Sequence, residues 1–453
     1  MQTLSIPRGA PSVSGGHLSW RLVSGALRGN ALAAFPDEAF SKDVVVQRFF
    51  GREHILLQRP EAIRHVLIDN AQNYRRSPTA ERVLRPMFGR GLFLSAGEDW
   101  RHQRRSVAPA FAPRQVHVLA RQVVAMADRL ARDLVAIDRP VNLVPVFQRL
   151  ALEIIGGAIF SLDMRQYGPE LRELILCYAA RLGRPSLVDF LLPLGMPAPA
   201  DLARARFRRR WRRLIDGIIA DRAARPSAGP RDLFDILAAA DPGTSPALAA
   251  ERLGDQIATI VVAGHETTAA ALFWTMYLLA RHPEEQERLA AEISPLGLKP
   301  ENAAELLPQL VRTRAVIDES LRLYPPAFVI VRQALDDDDA DGVPVRKGSL
   351  VLIAPWILHR HRRFWPAPER FDPSRFMPDS VPPPRFAYMP FGAGPRICVG
   401  APFALTELVL VTASLVRAFR IEMAPRRMVH PVGLVTLQPD APPPFRLIPR
   451  GSG

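Results

Sequence analysis

The chain has 453 residues, 48% of them hydrophobic, and a formal net charge of +14 at pH 7. That composition supplies a sizeable core and excludes a disordered or fibrous chain. Two cysteines, Cys177 and Cys398, exclude a disulfide scaffold and suit a reducing, cytoplasmic compartment, while the basic balance favours acidic partners without choosing among them.

Residues 1–40 read as a loosely packed N-terminal segment, with no apolar run long enough for a signal peptide or a membrane span. Apolar residues at helical spacing predict helices over 115–136, 150–160, 171–182, 207–222 and 233–240. The basic stretch 204–213, with Phe207 and Trp211 set among arginines, reads as an exposed helix face, because no nucleic-acid motif accompanies it. Residues 255–282, stopped by Pro283, predict one helix of about 42 Å, apolar on every side and therefore buried. Its centre, Gly264-His265-Glu266-Thr267-Thr268, carries ionisable groups that are costly in lipid, so no transmembrane anchor is expected. A helix of that length belongs to every part of the molecule at once, which favours a single domain over 1–453 against a length prior of roughly three.

Beyond residue 323 the pattern changes. Residues 328–332 and 349–353 predict short strands around an acidic turn, 336–342. Residues 365–400 are rich in Pro, Phe and Arg and lack periodicity, and structureless segments of that length are usually functional. A helix over 401–419 follows, and the Pro-rich 439–444 precedes a terminal strand. The fold class is mainly α with a small β-rich part over 323–400.

Three partial motifs fail. Gly392-Ala393-Gly394 lacks the third glycine and the βαβ frame of a dinucleotide site. The run Asp337 to Gly342 lacks the closing glutamate of a calcium loop, since position 348 is Gly. His265-Glu266 lacks the second histidine of a zinc protease, since position 269 is Ala. The basic run His359 to Arg363 reads as a solvated or partner-facing surface, and Cys177 as a core residue.

The segment Phe391 to Gly400 is different. Its cysteine closes a glycine-studded loop and directly precedes a helix, whose N-terminus stabilises thiolate. The glycines let backbone amides face the sulfur while a flat ligand approaches, and Arg396 would face that ligand's anionic groups. The pattern Phe391-x-x-Gly394-x-Arg396-x-Cys398-x-Gly400 resembles the haem-binding loop of the cytochrome P450 family. The resemblance extends from about Trp100 to Glu407. It implies haem b (iron protoporphyrin IX) held between the long central helix and this loop, with Cys398 as the axial iron ligand. Phe391, Gly392, Gly400, Ala263 and Gly264 would adjoin the haem, and Trp100, Arg104, Arg332 and Arg396 would hold its propionates. Gly264 leaves room at the haem face and permits a local widening of the helix. Glu319, Arg322 and Arg375 would form a charged network that anchors the cysteine loop. Thr267 would supply a hydroxyl beside dioxygen, and Glu266 an acid that relays protons, although a mid-helix threonine also back-bonds to the preceding turn. One departure is Arg346, where the family usually carries a proline in the turn 342–348.

The implied activity is insertion of one oxygen atom of O2 into a lipophilic substrate, by hydroxylation or epoxidation, with two electrons from a separate partner. That partner would be a ferredoxin or flavodoxin-type donor with its reductase. Ala263, Ala327, Phe328, Val329 and Ile330, with residues 92–94 above the haem, form an apolar pocket that suits a lipophilic small molecule, and no nucleic acid partner is expected. Two alternatives remain in view: a peroxide-driven haem-thiolate peroxygenase, disfavoured by the Glu266-Thr267 pair, and a non-catalytic haem sensor, disfavoured by the lack of a visible output module.

Overall fold

In a computed structural model, residues 29–49, 52–112, 116–162, 164–186, 188–189, 192, 195–225, 232–239, 245–425 and 427–451 are described. The N-terminal part forms an antiparallel pair, β1 (Val44–Phe49) and β2 (Arg52–Leu57), followed by β3 (Tyr74–Arg76). Helices then dominate: α1 (Pro78–Phe88), α2 (Gly97–Val107), α3 (Val116–Val135), α4 (Leu143–Phe160), α5 (Gly168–Cys177), α6 (Asp201–Ala223), α7 (Leu233–Ala238), α8 (Pro246–Arg281), α9 (Pro283–Ile293) and α10 (Val311–Leu323). Strands β4 (Ile330–Ala334) and β5 (Leu350–Ile353) return to the first sheet, which runs β1-β2-β5-β4-β3. Helix α11 (Ala401–Ala418) and four short strands, β6 (Phe419–Met423), β7 (Pro431–Gly433), β8 (Leu437–Pro439) and β9 (Phe445–Pro449), complete the chain.

The helix predicted over 255–282 is α8, longer by about two turns at its N-terminus, where Pro246 sits in the first turn and lacks only an N–H that would be unpaired anyway. It stays α-helical through Gly264, so the expected widening does not occur. It packs on α4, α11 and α10 and is buried along most of its length. Trp274 stacks face to face on Tyr324 at 4.0 Å, and Phe273 and Tyr277 meet Trp274 edge-on. Among the described residues two helices, α8 and α11, are long and apolar enough to cross a membrane by composition, and both are mostly buried in the protein.

The strand predicted over 328–332 is displaced to 330–334, because pairing with β5 begins at Ile330↔Ile353. The hairpin β1–β2, unmarked in the sequence by strict alternation, is stabilised by parallel pairing of β2 with β5, from His54↔Leu350 to Leu57↔Ile353, a contact nearly three hundred residues away. Residues 29–40, expected to be loose, are anchored: Leu32 and Ala39 are buried, and the Asn30 amide bonds Pro431 O while its oxygen accepts from Gly433 N. Residues 1–28 lie outside the described residues.

Two further expectations are corrected. Cys177 is exposed at the end of α5 and does not belong to the core. Of the arginines in the basic stretch 204–213, only Arg206, Arg209, Arg210 and Arg213 are exposed. Arg204 is 2% exposed and grips the Asp189 carboxylate with two bonds, 2.6 and 2.9 Å, while Phe207 and Trp211 enter the core. A helical turn of 3.6 residues places positions 204, 207, 211 and 215 on one face, so an arginine at that phase is carried inward whatever its charge. Replacing Arg204 by Met strands a buried carboxylate and should destabilise the protein by about 3–5 kcal/mol in denaturant unfolding, whereas the double change with Asp189→Leu should recover most of the loss.

Candidate active site

The loop bearing Cys398 is built by backbone geometry. Gly392 and Gly394 adopt positive φ, +75° and +73°, and a Cβ on Gly394 would lie 2.1 Å from Leu67 O. Only glycine meets both conditions. A 3-10 turn, Gly394–Arg396, reverses the chain; Cys398 N donates to Phe391 O at 2.9 Å, and Gly400 caps α11, where Ala404 N bonds Gly400 O. The Cys398 side chain is accessible at the surface of the loop, yet the protein packed around it pushes its thiol up, opposed by the Gly400 N–H and by the positive charge of Arg104. Cys398 is accessible on the open side of the loop, so its sulfur can meet a ligand there, and a transition metal is a partner that binds thiolate strongly.

Behind the loop sits a buried network. Arg322 and Glu319, one turn apart on α10 and both fully buried, form a two-bond pair of 2.6 and 2.8 Å. Arg322 also donates to three backbone carbonyls, His359 O, Pro368 O and Arg370 O, and Glu319 accepts from Asp372 N. Arg375 approaches Glu319 at 3.7 Å and ties Pro366 O and Ala367 O. The sequence segment 359–375 has no periodicity because its backbone is organised by these side chains instead of by a helix or ladder.

The basic run His359 to Arg363 is not a surface, apart from Arg362 and Arg363. His359 and His361 are fully buried, and Arg360 is 2% exposed. Burial, with the Arg322 charge second, drives His359 down to about 3, so its ring is neutral. One ring nitrogen accepts from Met389 N at 2.9 Å, which leaves the other to donate to Arg322 O at 3.2 Å. The histidine thereby joins the charged network to the chain that leads into the cysteine loop. Arg360 lies over the Trp356 ring at 3.6 Å and donates to Leu323 O and Glu369.

Four arginines gather beside the loop. Arg332 on β4 and Arg76 on β3 are directly paired across the strands, and Arg396 repels both. Trp100 stacks on the Arg396 guanidinium at 4.7 Å, Phe93 on that of Arg76 at 4.0 Å, and Arg104 senses Cys398. Burial, then the Arg396 charge, lowers Arg332 to about 10; burial, then Arg332 and Arg396, lowers Arg76 well below its usual range. Among the described residues none of the four is ion-paired to a carboxylate, and Nε of Arg76 and one terminal nitrogen of Arg396 are buried without a partner. Like charges opposed across a sheet are unfavourable. An anionic group with carboxylates on one edge would satisfy the cluster, so these residues fit haem. Arg76 is a site residue that sequence reasoning missed: Arg75-Arg76 reads as surface charge, and only the register Arg76↔Arg332 brings it inward.

On α8, Ala263 is accessible and Gly264 and Thr267 are half-buried, between turns that are closed to solvent on both sides. This stripe is the open face of the central helix. Gly264 serves contact with α4, since a Cβ there would lie 2.6 Å from Ile155. The Thr267 hydroxyl donates to Ala263 O at 2.6 Å, the back-bond. Glu266 is turned into the protein, where the group that bonds its carboxyl is the Thr436 hydroxyl in the β7–β8 turn, and the Glu266-Thr267 pair is not joined directly. Of the proposed pocket residues, Ala327 is accessible and Val329 and Ile330 half-buried, with Ile330 against Gly392; Phe328 is 4% exposed and packs on Gly433, which removes it from the pocket wall.

Burial pushes Glu266 up to about 7, with the Thr436 bond pulling the other way. A carboxyl raised above its ordinary 4.5 stabilises the fold when protonated, and that contribution is lost as the pH climbs from 4.5 through about 7. The stability gained by Glu266→Gln over the parent should therefore grow between about pH 5 and pH 8, to at most about 3 kcal/mol. A difference that stays flat across this range in thermal unfolding contradicts a buried acid at this position.

Comparison with known proteins points the same way. The family model described as cytochrome P450 matches residues 30–440. Cyclooctatin synthase of Streptomyces melanosporofaciens is 31% identical over 414 residues, covering 90% of this chain and 88% of that protein. Cyclooctat-9-en-7-ol 5-monooxygenase of the same organism is 32% identical over 388 residues, covering 84% and 83%. A 6-coordinated cytochrome P450 from Thermus thermophilus shares the fold, with a TM-score of 0.70 at 24% identity over 90% of this chain and 95% of that one. With the cysteine loop, the charged network and the arginine cluster already placed by the fold, the chain belongs to the cytochrome P450 family, a family of haem-dependent oxidoreductases.

Proposed function

We propose that this protein is a haem b monooxygenase that inserts one oxygen atom of O2 into a lipophilic organic molecule, taking two electrons from a separate ferredoxin- or flavodoxin-type donor. The observation that carries this reading is the arginine cluster: four cations that no carboxylate among the described residues pairs with, set beside a cysteine whose loop is shaped by glycine. Cys398 would ligate the iron, and Arg76, Arg104, Arg332 and Arg396, with Trp100, would hold the two propionates. When bound, the haem-thiolate group supplies dioxygen activation. The protein's own residues would do the rest. Ala263 and Thr267 line the open face of α8, and the Thr267 hydroxyl can exchange its Ala263 O bond for a bond to an oxygen-bearing guest. Glu266 holds a proton on its carboxyl near neutral pH and is poised to give it up there. Ala327, Val329 and Ile330 present apolar surface, which excludes water and suits a hydrocarbon-rich substrate. A relative named for cyclooctat-9-en-7-ol, an alcohol with a mostly hydrocarbon skeleton, agrees with that class. The same reading treats 1–453 as one unit in the cytoplasm, and takes the +14 charge as an attraction for an acidic donor.

The test is spectroscopic. The reduced protein under carbon monoxide should give the thiolate-type difference band, and Cys398→Ala should abolish it; survival of the band in that variant overturns the assignment. Thr267→Ala should divert reducing equivalents from product to peroxide, and unchanged coupling of reductant use to product refutes its role. A peroxygenase would instead turn over with peroxide alone as fast as with donor and O2.

A further inference from the structure

The segment that the monooxygenase reading places over the haem, residues 92–94, is not held by apolar packing alone. The buried Asp255 carboxylate on α8 accepts from Arg90 N at 2.7 Å. Its neighbour Gln256, also buried, accepts from Leu92 N at 3.3 Å and donates to Gln103 Oε1 at 2.5 Å. Gln103 on α2 donates in turn to Arg90 O at 3.0 Å and to Asp99 at 2.9 Å, and Ser95 Oγ bonds Gln103 at 3.3 Å. Three backbone groups within three residues are therefore gripped by side chains from two different helices. The contact is close enough to dictate residue type. Gly89 has φ +56°, and a Cβ there would fall 2.1 Å from the Asp255 carboxylate; one on Gly91 would fall 2.1 Å from Thr259 Oγ1 and 2.5 Å from Asp255 O. The other Asp255 oxygen accepts from Arg208 at 2.9 Å, with Arg212 at 3.6 Å, so its charge is balanced from α6.

We propose that Asp255 and Gln256, acting with Gln103, are positioning residues that set the height of the 92–94 roof over the substrate pocket and thereby select substrates by size. Polar clamps suit this task because a backbone N–H bonded to a fixed, buried acceptor has one position, whereas an apolar roof slides. Asp255 and Gln256 are consecutive on a helix buried on most sides, so the roof is referenced to the same element whose open face carries Ala263 and Thr267.

The inference rests on the haem-site reading, and the experiment separates the two. The haem-loaded full-length chain is titrated with imidazole and with 4-phenylimidazole: both should bind the iron and shift the Soret band, and on this proposal only the longer second one meets the roof. Gln256→Leu and Asp255→Asn should weaken 4-phenylimidazole about tenfold, equivalent to about 1.4 kcal/mol, and leave imidazole within about twofold. Hydrogen exchange of the peptide spanning 89–95 should accelerate in both variants. Imidazole binding reports intact folding within the same titration. Equal weakening of both azoles, or no weakening of the larger one, overturns the proposal. A parent protein whose Soret band shifts with neither azole overturns the haem-site reading and this inference with it.

Discussion

The buried Arg322 is the constraint on which the rest of the site depends. Its guanidinium has five donors and no freedom to lose its charge, and the fold spends them on one carboxylate and three backbone carbonyls. A salt bridge so buried gives little net stability by itself, because desolvation of both ions offsets their attraction. What it gives is position. Carbonyls from residues 359, 368 and 370 converge on one point, and the irregular chain from β5 to the cysteine loop takes its shape from that point. His359, neutral because it is buried, passes the constraint on through Met389 N.

The arginine cluster works in the opposite sense. Arg322 is satisfied within the protein, whereas Arg76, Arg332 and Arg396 are set against one another and remain short of anions. Aromatic faces at Phe93 and Trp100 soften the repulsion without cancelling it. The protein thus separates two uses of the same side chain: one arginine set builds the scaffold, and another holds electrostatic energy that an acidic cofactor edge would release. Binding of that edge becomes part of folding stability, since whatever binds the native state alone stabilises it.

Polar residues inside the central helix follow a common logic. Asp255, Gln256, Glu266 and Thr267 are each placed where a backbone group, a hydroxyl or an open face gives the polar atom a function, while Ile257, Ala258, Ile260, Val261 and Val262 lie between them with the buried Thr259 and His265. The helix is a ruler along which the roof clamp, the open face and the buried acid are spaced by a fixed rise of about 1.5 Å per residue. Glu266 faces Thr436 in a turn held by Trp274 Nε1 on Leu437 O and by Leu437 N on Pro326 O, so the C-terminal hairpin and the chain before β4 both bear on the acid.

The sequence alone determined whatever depends on neighbours in the chain. Cys398 with its glycines was legible because turn geometry and the following helix N-terminus are local, and α8 because apolar residues on every side demand burial. Glu319 and Arg322 were legible as a pair because one helical turn brings them together. Tertiary structure decided what depends on phase and long-range register. Arg204 and the run His359–Arg360 look solvated by composition, yet helix phase and the converging carbonyls carry them inward. Arg76 enters the site only through its cross-strand partner, and Phe328 leaves the pocket because its neighbour is Gly433. The direction of Glu266, toward Thr436 and away from Thr267, follows from a hairpin 170 residues downstream of it. A residue's chemistry is written in the chain, but the dielectric and the partners that give it a role come from whatever the fold packs against it.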